Sequence, residues 1–92
     1  MNLEAFIRML NQNDFPEPVL VVQEQGGLLG NHTHPFEVKA LVTQGQIDIV
    51  IDGLKRTYLE GDVFHLLQSQ EHAESYGHEG VQYLASRKEM PS

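Results

Sequence analysis

The chain has 92 residues, 13 acidic against 6 basic, no cysteine and a formal net charge of −7, a length that fits one domain. Its basic residues, Arg8, Lys39, Lys55, Arg56, Arg87 and Lys88, are dispersed along the sequence, which argues against nucleic acid and anionic membranes as partners. The missing cysteines exclude a disulfide scaffold, a zinc ribbon and a thiol nucleophile, and no run approaches the roughly 18 apolar residues of a membrane span.

MNLEAFIRML lacks the basic lead and long apolar run of a signal peptide, so a soluble, cytoplasmic protein is expected. Within it Leu3, Phe6, Ile7 and Leu10 recur at helical spacing. They predict a short N-terminal helix within residues 1–14, stopped by Asn11, Asn13, Asp14 and Pro16. The apolar stripe either packs on its own domain or offers a face to a partner.

After Pro18 the texture changes to short apolar or alternating runs, VLVV, ALV, QIDIVI, TYL, VFHLL and VQYLA, separated by QGG, TQG, DG, EGD and YGHEG. Strands punctuated this often by turn residues predict one all-β barrel or sandwich over residues 18–88. In GQIDIVIDG, Ile47, Ile49 and Ile51 share one face and Gln46, Asp48 and Val50 the other, with Asp52-Gly53 as a hairpin turn. Glu89 to Ser92 are expected to fray.

The stretch GGLLGNHTHPFEVKALVTQG carries the chemistry. On an extended strand His32 and His34 point to the same face. Imidazole is the commonest protein metal ligand, and two on one strand can take adjacent positions on an ion. A third ligand must come from elsewhere. Ser69, Ser75 and Ser86 show no nucleophile elbow, and Gly30, Gly45, Gly53 and Gly61 match no phosphate-loop spacing.

From Gly26 to Gly45 this stretch resembles the first motif of the cupin family: a Gly, five residues, H-x-H, and a Gly closing the hairpin. GDVFHLLQSQEH resembles the second motif at its ends, Gly61 and His72, but has Leu67 where the family usually has Pro and Ser69 where it has Gly. The two motifs and the strands between them span Gly26 to about Gly77, and flanking strands extend the likeness from about Pro18 to Arg87. The resemblance implies an antiparallel jelly-roll β-barrel with a divalent metal in its mouth, held by His32, His34 and His72.

The family's usual carboxylate ligand falls here on Val38. Glu37 is adjacent, but neighbours on a regular strand face opposite ways. Val38, Ala40 and Val42 are therefore expected inside, with Glu37 and Lys39 outside. A distortion at Pro35 is the one route by which Glu37 turns inward. Glu74 shares its face with His72 and Tyr76, and is read as a catalytic or ligand-orienting carboxylate, or else as an exposed strand-end group. Tyr76 and Tyr83 either line the cavity or belong to the core. His65, between inward Phe64 and Leu66, and His78, in YGHEG, are expected in solvent.

The expected function is that of a small metal-binding cupin. One version is a non-heme oxidoreductase of the dioxygenase type, or an isomerase, acting on a small anionic or carbonyl-bearing molecule. The alternative is a non-catalytic binding or sensing module. Imidazole ligands suit Fe, Ni, Zn or Cu, with Mn also within the family's range. A homodimer is expected, using Val50, an outward Phe36 and the helical stripe as candidate contacts.

Overall fold

In a computed structural model of the chain, residues 1–90 are described. Helix α1 spans Leu3–Gln12. It starts where the Asn2 side chain accepts a hydrogen bond from the Ala5 amide at 2.8 Å, satisfying one of the free donors of the first turn. Asp14, at φ 59°, and Pro16 turn the chain away.

Six strands follow: β1 Val19–Gln23, β2 Leu28–His32, β3 Phe36–Ile51, β4 Leu54–Leu59, β5 Val63–Leu66 and β6 His72–Glu89. All pairings are antiparallel. The long strands β3 and β6 pair along most of their length and bend midway. The later half of β6 and the earlier half of β3 lie between β1 and β5. The other halves lie between β2 and β4. Two four-stranded sheets thus share two bent strands, and among the described residues no pairing joins their outer strands into a closed ring.

The bend explains why two expected turns are absent. TQG and YGHEG lie inside β3 and β6, where register shifts fall between Val42 and Gln44 and between Gly45 and Ile47. Gly45 and Gly80 both have positive φ, and a Cβ on Gly45 would sit 2.2 Å from the Gly80 carbonyl oxygen. The strands cross so closely that only glycine fits. QGG, DG and EGD do form turns.

The inward faces meet in a core of Val38, Ala40, Val42, Ile47, Ile49, Phe64, Leu66, Val81, Tyr83 and Ala85, so the expected inward set of β3 holds. The helical stripe packs on its own domain: Phe6 and Leu10 are fully buried against Leu41 and Phe15 on the outer face. Lys39 and Lys88 flank the Phe15 ring at 5.1 and 5.3 Å. Phe36 departs from expectation. It has the parity of Val38 and packs against the core rather than facing out. β6 runs through Glu89, so the chain is ordered in strand further than expected; Pro91 and Ser92 lie outside the described residues. No helix is long and apolar enough to cross a membrane.

Candidate metal centre

His32 ends β2, His34 follows in the link to β3, and His72 opens β6. A bulge brings the first into the site. Leu28 pairs with Ser75 and Leu29 with Glu74, but His32 pairs with His72. One extra residue around Gly30 and Asn31 therefore shifts the register, and without it His32 would face outward. The rings of His32 and His72 come to 4.2 Å, and those of His32 and His34 to 4.8 Å.

The degenerate second motif still delivers His72. Leu67–Gln70 form a turn in which the Gln70 amide donates to the Leu67 carbonyl at 3.2 Å and Ser69 takes φ 60°. The Gln70 side-chain oxygen accepts from the Leu67 amide at 3.0 Å. The Ser69 amide then donates to the His34 carbonyl at 2.8 Å, tying this turn to the loop that carries His34.

Each of two rings is fixed by the backbone. His32 Nδ1 lies 2.7 Å from the Gly30 carbonyl and His72 Nδ1 lies 3.0 Å from the Gln70 carbonyl. A carbonyl only accepts, so each Nδ1 carries a proton, and a neutral ring would then present its Nε2 lone pair. These two Nε2 atoms are buried and have no hydrogen-bond partner. Glu74 Oε1 lies 3.5 Å from His32 Nε2, near enough for charge but too poorly placed for a hydrogen bond. Buried polar atoms are almost always paired, so two left unpaired within one histidine cluster fit a cation. One ring nitrogen from each of His32, His34 and His72 falls within 4.8 Å of the others. Metal–nitrogen bonds of about 2 Å would hold the nitrogens closer together than 4.8 Å, so an ion would draw the rings inward. The donors are all imidazole nitrogens, the chemistry that suits a transition ion.

His34 is kept below its ordinary basicity by burial first, then by His32, His72 and Arg87, which favours the neutral, ligating form. Burial pushes the Glu74 carboxyl up, partly opposed by His72 and His32. Burial, then Glu74 and Tyr83, push the Tyr76 phenol up to about 12. Tyr83 rises through burial and Glu74, opposed by a hydrogen bond with Gln23 and by Arg87.

The cavity at the site is about 40 Å³, lined by His34, His72, Glu74, Tyr83, Phe36 and Arg87 around an apolar floor of Val38, Phe64, Leu66 and Ala85. That is room for a few water-sized atoms. Glu74 is buried beside the histidines rather than exposed at a strand end. Tyr83 lines the cavity; Tyr76 packs against the core instead. Glu37 stays outside, where its carboxylate lies 2.5 Å from His65 Nε2. The two groups expected on the outer face are thus each other's partner. His78 is exposed, though within β6 rather than in a turn. Ser86 is buried and donates to the Pro16 carbonyl at 2.6 Å, a structural tie. Sequence reasoning missed Arg87 and Phe36 as cavity groups. Both share the parity of Val38 across the β3–β6 pair, since Val38 is opposite Arg87.

No protein-family model matches the sequence and no curated protein matches it. Solved structures do match. The cupin domain of Schizosaccharomyces pombe Cnp3 superposes with a TM-score of 0.70 at 13% identity, over 83% of this chain and 60% of that one. A cupin superfamily protein of Desulfitobacterium hafniense gives 0.68 at 20% identity, over 77% and 64%. Oxalate decarboxylase of Bacillus subtilis, a protein with Mn(II) centres, gives 0.68 at 19% identity, over 78% of this chain and 20% of the enzyme. The chain thus spans less than two thirds of the length of these structures, and at such identities the likeness is one of architecture. With bent strands, paired sheets and a histidine cluster at one end, the chain is a small domain of the cupin fold.

Proposed function

We propose that the chain binds one divalent transition-metal ion through His32, His34 and His72 and acts with it on a small anionic or carbonyl-bearing molecule, by isomerisation or by oxygenation with dioxygen as co-substrate. The observation that carries this reading is the pair of buried, unpartnered Nε2 atoms on rings whose Nδ1 atoms are held by backbone carbonyls. An ion held by three neutral imidazoles keeps its full double charge and supplies Lewis acidity at its remaining positions.

The chain's own residues do the rest. The Gly30 and Gln70 carbonyls orient the rings. Val38, Phe64 and Leu66 exclude water from below. Glu74 holds a carboxylate 3.5 Å from His32 Nε2 and takes or returns a proton at its Oε1. A second reading, binding without turnover, draws on the cavity volume of about 40 Å³, which seats only part of most organic substrates. Metal analysis of protein made in metal-controlled medium tests the first step. It is followed by screens for oxygen uptake and for isomerisation with small carbonyl compounds. One ion per chain with turnover supports the enzyme, one ion without turnover the binding module, and no bound ion contradicts both.

A further inference from the structure

Among the described residues Arg87 is the one arginine or lysine on the cavity wall. It stands on β6 opposite Val38 and forms no ion pair among the described residues. Its guanidinium lies 5.0 Å over the Phe36 ring, and that ring is stacked on His34 with centroids 5.0 Å apart and planes 13° apart. A layered wall of guanidinium, phenyl and imidazole runs from the rim to the histidine cluster. Such stacking restrains a long side chain that would otherwise lose rotamer freedom on binding. In a chain of net charge −7, an arginine left without an acidic partner at the rim of a buried cluster is available to an incoming anion.

The rest of the cavity narrows the anion. Its floor is apolar, its volume is about 40 Å³, and Glu74 occupies the wall near His32. Arg87 stands at the rim, so the ligand's charged end belongs there. The planar fork of an arginine matches a carboxylate with two parallel hydrogen bonds. Building on the metal reading above, we propose that Arg87 is a specificity-determining residue. It would hold the carboxylate of a two- or three-carbon 2-oxo or 2-hydroxy acid, whose neighbouring oxygen points to the histidine cluster and whose short carbon chain covers the apolar floor.

The test uses the Co(II)-loaded protein and follows its visible absorption during titration with pyruvate, and with hydroxyacetone as the neutral analogue of similar size. Pyruvate is expected to bind at least tenfold tighter than hydroxyacetone. Arg87→Gln should weaken pyruvate binding by about tenfold or more, as expected for a lost charge-assisted pair, and erase the preference, while Co(II) affinity and the far-UV spectrum stay unchanged. Arg87→Lys should recover part of the loss, since it keeps the charge without the fork. Equal pyruvate affinity in wild type and Arg87→Gln, with cobalt still bound, overturns the role of Arg87 and leaves the metal reading standing. Absence of any cobalt spectrum in the wild type overturns the metal reading and this inference with it.

Discussion

In His32 and in His72 a backbone carbonyl holds Nδ1 and leaves Nε2 buried and unpaired, an arrangement consistent with metal binding. Replacing His32, His34 or His72 by Ala is therefore expected to weaken metal binding severely, while His65→Ala, on the outer face, leaves it intact. Isothermal titration with Zn(II) checks this, and loss of binding in the His65 variant with retention in the His72 variant would reverse the assignment. The carboxylates separate in the same way. Glu37 is engaged with His65 on the outer face, so Glu37→Gln should change affinity little; Glu74→Gln, beside His32 Nε2, should change it by about tenfold. The three histidines were legible from motif spacing, and the outward Glu37 from strand alternation. Arg87 and Phe36 were not, because their place at the rim depends on which residues β6 sets opposite β3, and pairing between segments so distant in sequence leaves no local signal.

Among the elements, β2 and the β5–β6 turn do most to shape the site. The bulge in β2 adds one residue and turns His32 inward; alternation had put His32 and His34 on one regular strand, whereas His34 lies in the link after β2. The turn Leu67–Gln70 holds Ser69 at φ 60°, a conformation that strains residues with a Cβ by roughly 1–2 kcal/mol. Ser69→Gly removes that strain at some cost in chain entropy, and should raise stability by about 0.5–1 kcal/mol, read as a higher urea midpoint with an unchanged slope. A lower midpoint would mean that the Ser69 side chain contributes something its backbone does not reveal. The strands themselves were readable from apolar runs and turn residues. TQG and YGHEG were misread as turns because glycine at positive φ serves a bend as well as a reversal, and only the approach of Gly45 to the Gly80 carbonyl distinguishes the two.

Taken whole, the molecule is small, and a domain of this size buries only about 60–65% of its unfolded surface. Its sheets keep free edges, and β1 presents Val19, Leu20 and Val22 at 68, 54 and 60% exposure. An exposed apolar edge of this kind invites pairing. We propose a homodimer that uses the β1 edge rather than the helix or Phe36, both of which are engaged within the chain. Light scattering at micromolar concentration decides it, and a mass of one chain that does not change on concentration excludes the pair. A metal bound only by the folded form adds stability by mass action, about 2.7 kcal/mol at a free concentration one hundred times Kd. For a domain of this length that corresponds to a rise in Tm of about 10 °C or more. The most direct measurement is therefore thermal unfolding of the wild type and of His72→Ala, each with and without Zn(II) at saturating concentration. The structure predicts a rise of that size in the wild type, with one ion bound per chain, and none in His72→Ala; an unshifted wild type, or an equal rise in the variant, would contradict a metal centre at His32, His34 and His72.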